Sequence, residues 1–297
     1  MAGRLVRDGA DLHFVPRFPF IDGTTYTVTV DGTIAATLVR IRPDRAATTG
    51  VAGIWPTSAE VPRNLLRLYV WFTAPMSDGY AAGHVRLADD NGGTIGGALL
   101  PGEHELWDAS RRRLTVLLDP AQIKRGLPGH QETGYALRSG EPFRLVVDGG
   151  FHDAQGLPLR AGTHRRYEVG NDERRHVDPR SWLLTAPQAR TAEPVKVAFG
   201  RPLDHGLLAR CLHVTGPGGE PIHGAMHIGA GERSWQLVPH RAWVPGPHQL
   251  IVDPALEDLA GNSVSRVFDR DLTRPEDQPR QARPVTLAFR TRPTWPA

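Results

Sequence analysis

The chain has 297 residues, enough for about two domains at ~150 residues each, and its 40% hydrophobic and 23% charged content excludes a disordered tail. Gly 32 and Pro 26 leave few stretches long enough for helices of three or more turns, so the composition points to β structure. The net charge is only +3, the densest basic runs are Arg111–Arg113 and Arg165–Arg166, and Cys211 is the single cysteine, which argues against a nucleic-acid footprint and excludes an intrachain disulfide or a cysteine-rich zinc site.

Taken in chain order, short β-branched or aromatic runs bounded by turn residues predict strands. Tyr26–Val30 precedes Asp31-Gly32, Leu68–Phe72 follows, and Leu114–Leu118 precedes Asp119-Pro120. Phe143–Val147, Val195–Phe199 and Gln249–Val252 complete the set. Single helical turns are expected at Tyr80–His84 and Gly206–Arg210. Two polar stretches, 170–181 and 273–284, read as linkers. No run approaches the ~20 apolar residues of a membrane span. The first eight residues contain no apolar stretch of the kind that directs export, so the expected location is the cytoplasm if Met1 is the native start.

Internal repetition organises these elements. Phe72, Pro75, Met76, Gly79 and Val85 recur as Phe199, Pro202, Leu203, Gly206 and Leu212 at identical offsets. Asp148, Asp153 and Gly156 answer Asp253, Asp258 and Gly261 as D-x4-D-x2-G after an apolar strand. From the Phe to that Gly the copies run 84 (156 − 72) and 62 (261 − 199) residues, the excess falling largely around Ile123–Leu137. This insertion is expected to protrude as a loop and to contribute to a site. Residues 12–31 follow the track of 235–253, the back half of a repeat, and Pro284–Phe289 resembles Pro194–Phe199. The reading is an all-β protein of tandem Ig-like β-sandwiches with a partial third β unit built from the N- and C-terminal strands. Its parts are 1–59 (partial unit), 60–170 (first Ig-like domain, insertion 121–138), 171–181 (linker), 182–272 (second domain) and 273–297 (linker and C-terminal strand). Strand 284–290 is expected to cover the apolar hairpin at 11–31 in a monomer, or to pair with a neighbour in a strand-swapped dimer.

The Phe72-Thr-Ala-Pro-Met-Ser77 run and Leu256–Asn262 resemble the SbsA-type bacterial Ig-like domain over about residues 60–272. Glu105–Asp108, Asp119-Pro120 and Ile123–Gly126 resemble a group of bacterial proteins carrying two such domains. The resemblance implies β-sandwiches with Greek-key connections and, for most members, a secreted or surface setting.

For chemistry the residues offer less. His223 and His227, four apart on a strand, share a face, and His213 is a third ligand for a divalent metal; a hydrogen-bonded or exposed structural role is the plainer reading for each. His104 with Glu103, Glu105 and Asp108 supplies further oxygen and nitrogen donors. Glu257, Asp258 and Asn262 offer oxygens at a turn that they equally well cap. Cys211 reads as a buried thiol. Trp107, among charged neighbours, and Trp295 are candidates to face a ligand. The candidate ligand-binding set is Glu105, Trp107, Asp108, Lys124, Asp204 and His205. The expected function is binding or structural, with a protein, small-molecule or glycan ligand, no nucleic acid and no cofactor other than that metal. The alternative is a metal-dependent or acid/base enzyme with a site between the 121–138 insertion and the Asp204-His205 loop.

Overall fold

A computed structural model describes residues 3–41, 46–101, 105–271 and 273–293. His104, Glu103 and Trp295 lie outside them. The chain is all-β, built of Ig-like sandwiches. It opens with two hairpins, β1 (Gly3–Asp8) with β2 (Asp11–Pro16) and β3 (Thr25–Val30) with β4 (Thr33–Val39). The first sandwich contains β5 (Val51–Trp55), β6 (Glu60–Pro62), β7 (Arg67–Phe72), α1 (Ala81–His84), β8 (Val85–Asp89), β9 (Leu106–Trp107) and β10 (Arg113–Leu117). Two helical turns, α2 (Pro120–Ile123) and α3 (Pro128–Thr133), precede β11 (Phe143–Val147) and β12 (Thr163–Gly170). Its sheets run β5-β7-β10-β9 and β6-β12-β11-β8.

The second sandwich comprises β13 (Leu183–Thr185), β14 (Val195–Ala198), α4 (His205–Cys211), β15 (Leu212–Thr215), β16 (Gly224–Ile228), β17 (Ser234–Pro239), β18 (Pro247–Val252) and β19 (Val285–Arg290). Its sheets run β13-β14-β17-β16 and β15-β18-β19. Alternation fills the space between them. Val195, Val197, Trp235, Leu237, Leu250 and Val252 point inward, each at most 6% exposed, while their strand neighbours face water. By compactness the chain divides into one unit of Met1–Ile54, Tyr69–Val116 and Arg144–Arg165, and a second of Trp55–Leu68, Leu117–Phe143 and Arg166–Ala297.

The repeat read from spacing is a repeat of hydrogen bonds. Met76 bridges Asp153 and Leu203 bridges Asp258. Asp153 Oδ1 accepts from Gln155 and Leu157 N–H (2.9 and 3.0 Å), as Asp258 Oδ1 accepts from Ala260 and Asn262 (3.0 and 2.9 Å). Gly156 and Gly261 close these turns at φ 82 and 78, a region glycine enters without penalty. A further correspondence was invisible in the residues: Met76 N–H donates to Arg111 O, Leu203 N–H to Glu232 O, and both acceptor residues have positive φ.

Three expectations are corrected. Strand 284–290 does not pair with residues 11–31; as β19 it pairs antiparallel with β18 from Val252↔Val285 to Pro247↔Arg290. It thus holds the place that β12 holds beside β11, and the C-terminal strand belongs to the second sandwich rather than to a third unit. The physical reason is that the inward face of β18 needs a neighbour, and Phe289, 8% exposed, stacks on His248 (5.4 Å) and lies 6.1 Å from Trp243. The insertion, expected as a protruding loop, contains the helical turns α2 and α3 and is anchored by Ile123 and Leu137, 3% and 2% exposed. The polar stretch 170–181 is not a solvated tether. Glu173 O accepts from Asn64 and Asn262 side-chain amides (2.8 and 3.0 Å), and Arg201 pairs with both Glu173 and Asp258 (2.9 and 3.0 Å).

The N-terminal hairpins match the back half of a repeat in their pairing, β1-β2 answering β16-β17 and β3-β4 answering β18-β19. Strands equivalent to β14 and β15 have no counterpart beside them among the described residues. Leu5, Leu12, Phe14, Val28, Val30 and Ile34 are accordingly 42–66% exposed. The connection between the hairpins is fastened to the second of them. Asp22, 5% exposed, pairs with Arg40, and Ile21 N–H donates to Tyr26 Oη at 2.7 Å.

Candidate functional site

Each copy of the repeat carries one segment that the other lacks. In the first copy it is the 121–138 insertion; in the second it is the connection from Gly261 to β19, where the first copy needs only the short link from Gly156 to β12. Both segments lie in the second unit, and there they form the walls of one groove of about 710 Å³. That volume falls within the roughly 300–1,000 Å³ of small-molecule sites.

The walls are held by local chemistry. Asp119 caps α2 by accepting from Ala121 N–H at 2.8 Å, with Pro120 at the first helical position, and the chain then turns out at Lys124. Arg125 fastens the next step to the opposite wall: its backbone N–H and Nε donate to the two oxygens of Asp269 at 3.1 and 2.9 Å. Arg174 Nη1 lies 3.1 Å from the same carboxylate, and Tyr135 Oη accepts from Arg174. Burial, with Asp172 and Asp269 adding, pushes the Tyr135 phenol up to about 12, so it stays protonated. Asn262 Oδ1 accepts from Phe268 N–H at 3.1 Å, and Ser265 O accepts from Arg280 N–H at 2.7 Å, drawing the third wall, 279–282, alongside.

Charge on this groove is one-sided. Lys124, Arg266, Arg270 and Arg280 line it together with one carboxylate, Asp269, which is already matched by Arg125 and Arg174. Arg266 lies 3.4 Å from Glu257, whereas Arg270 and Arg280 have no carboxylate partner among the described residues. Lys124 Nζ sits over the Phe268 ring, 4.5 Å from its centroid. Arg280 also borders a second cleft of about 480 Å³ that includes His176, whose Nε2 is buried without a hydrogen-bond partner. Burial, reinforced by Arg280, holds His176 below the ordinary histidine range and therefore neutral at pH 7.

Gly261 backs the floor. A Cβ there would stand 2.5 Å from Leu66 Cδ2 and 3.3 Å from the Phe268 ring, at φ 78. Gly261→Ala is expected to cost roughly 2–4 kcal/mol from left-handed strain and overpacking, read as a lower midpoint in urea denaturation. A change within 0.5 kcal/mol would contradict this account of the turn.

Of the residues singled out in the sequence, Lys124 lines the groove and the others do not. Glu105 accepts from Ala81 N–H and from Trp107 Nε1 (2.6 Å), which ties the indole down. Trp107, half-buried, packs beside Phe72 and Phe151 with ring centroids 5.8 and 6.2 Å away. Asp108 caps a turn by accepting from Arg112 and Arg113 N–H, both at 3.0 Å; burial is outweighed by these bonds and its carboxyl is held low. These three residues lie in the first unit, Lys124, Asp204 and His205 in the second. Asp204 caps α4 through Leu207 N–H (2.9 Å) and pairs with Arg67 (3.4 Å). His205 faces Glu232 at 3.3 Å, and its ring lies tilted beside Trp55 with centroids 4.9 Å apart. The acid/base alternative thus has its two loop residues committed to a helix cap and a buried carboxylate. His213 is exposed on β15, whereas His227 is exposed on β16 of the other sheet and His223 is exposed just before it, so the strands do not bring the three together. Among the described residues no group of three or more His, Cys, Asp and Glu is disposed to hold a metal ion. Burial, then Asp253, pushes the Cys211 thiol up to about 11, which leaves it un-ionised. The groove cations other than Lys124 were missed because their signal, one-sided charge, arises only when segments far apart in sequence meet.

No family model and no curated relative matches the chain. Among solved structures, the N-terminal part of the bacterial S-layer protein SbsC is similar over 69% of this chain and 40% of that one, at 12% identity and a TM-score of 0.26. The α2-macroglobulin of Escherichia coli spanning domains MG0-NIE-MG1 is similar over 83% and 91%, at 8% identity and 0.27. The N-terminal four Ig domains of a Dscam1 isoform are similar over 84% and 52%, at 9% and 0.27. The chain spans about two fifths of the length of the S-layer fragment. At such identities and TM-scores a likeness assigns no residue a role.

Proposed function

We propose that this protein is a non-catalytic binding module of SbsA-type Ig-like domains that captures an anionic ligand in the groove between the 124–127 turn and the 265–282 connection. The observation that carries this reading is the charge: four cations line the groove against one carboxylate that other arginines already neutralise. An anion entering it meets a net positive field, with Arg270 and Arg280 carrying no carboxylate partner among the described residues. Placement outside the cell, as the SbsA-type resemblance implies, is part of the proposal. No described helix is long and apolar enough to cross a membrane.

Two-dimensional NMR with acetate and inorganic phosphate as probes tests this. Saturable shifts are expected at 124–127, 265–270 and 279–282, weakening with added salt. Arg270→Gln and Arg280→Gln, both on exposed side chains, should each weaken binding roughly 2–5-fold. Shifts scattered over the surface and indifferent to both substitutions would sink the reading.

A further inference from the structure

We infer that the ligand of this groove is an organic anion with an apolar body, a carboxylate carried on an acyl chain, rather than a bare inorganic anion. The inference rests on the reading of the groove as an anion site and adds what the floor requires. Apart from its cations and Ser265, the groove is lined by no side-chain hydrogen-bond donor among the described residues. Its apolar surface comes from Phe268, from Leu127 at 40% exposure, and from Pro279 and Ala282, with Val267 almost wholly buried behind them at 3%. These surfaces are held open by bonds made elsewhere: Phe268 by Asn262 and Gly261, the 124–127 turn by Arg125 on Asp269, and 279–282 by Arg280 N–H on Ser265 O.

An inorganic anion would satisfy the rim and leave that floor in water. An acyl carboxylate covers both, its head drawn to Arg270 and Arg280 and its chain laid along Leu127, Phe268 and Pro279. Lys124 links the two regions, since its ammonium already lies over the Phe268 ring and can pair with a carboxylate entering beside it. Asp269 does not repel the head because its two oxygens are held by Arg125 and Arg174. Apolar burial predicts a steep dependence on chain length, about fourfold in affinity per methylene that enters the groove.

The test is calorimetric titration of the full chain with hexanoate, octanoate, decanoate, decanol, acetate and phosphate, each below any micelle concentration. Affinity is expected to rise about fourfold per methylene along the carboxylate series, with decanol binding at least tenfold more weakly than decanoate. Leu127→Ser, at a position 40% exposed, should weaken decanoate severalfold and leave acetate unchanged; Arg280→Gln should weaken both. Phosphate and acetate binding as well as decanoate, with loss in Arg280→Gln, would overturn the apolar body and leave the anion site standing. Decanol matching decanoate would overturn the anion site itself. Failure of every probe to bind would overturn both, circular dichroism having confirmed that each variant is folded.

Discussion

Replacing Glu232 with alanine is expected to destabilise the protein by roughly 3–5 kcal/mol, because it removes a buried carboxylate that accepts from two backbone amides and a hydroxyl at once. Glu232 is fully buried. Thr57 N–H donates to both carboxylate oxygens (2.9 and 2.8 Å), Thr57 Oγ1 to Oε1 at 2.8 Å, and Ser58 N–H to Oε2 at 3.2 Å, while His205 Nδ1 lies 3.3 Å away. Burial pushes this carboxyl up, but the bonds from His205, Thr57 and Ser58 outweigh it and hold it below the ordinary glutamate range. A depressed carboxyl stabilises the native state above its unfolded pKa, and that stability is lost as pH falls through the folded value. Urea midpoints of the wild type should therefore drop between pH 5 and pH 3 by more than those of Glu232→Gln, which has no proton to gain. Parallel acid profiles for the two proteins would remove Glu232 as the titrating anchor.

Deleting residues 284–297 should be more severe. The deletion takes away β19 and with it six register pairs to β18, and it uncovers Leu250, Val252, His248 and Trp243 at the core of the second sandwich. Phe289→Ala alone should cost roughly 3–5 kcal/mol, the usual range for a buried aromatic truncation. The deletion exceeds this by also leaving the β18 amides unpaired along an apolar strand, a surface that invites aggregation. Expected readouts are loss of the cooperative thermal transition and soluble oligomers in light scattering. A monomer with an unchanged melting temperature would show that β19 contributes nothing to the second sandwich.

The sequence by itself determined the strand class, the repeat and its turns. Phe72-x-x-Pro75-Met76 and Phe199-x-x-Pro202-Leu203, the helical turns before Val85 and Leu212, and the D-x4-D-x2-G loops all follow from period-2 alternation, an aspartate accepting from amides two and four residues on, and glycine's access to positive φ. Each is a property of the backbone within a few residues. It also marked the 121–138 insertion and Lys124, since an inequality in length between copies needs no structure to be seen. The partner of the last strand lay beyond its reach: Pro284–Phe289 alternates just as Pro194–Phe199 does, and alternation states which side chains share a face, not which strand lies alongside. For the same reason His223 and His227 could be placed on one face while their exposure on a sheet opposite His213 could not.

Only the tertiary structure decided the groove and its charge. Arg125 and Asp269 are 144 residues apart, Thr57 and Glu232 are 175 apart, and neither pair leaves a mark in local pattern. How strongly such groups interact depends on their geometry and on the local dielectric, and both are set when the walls close, not by the residues on either one.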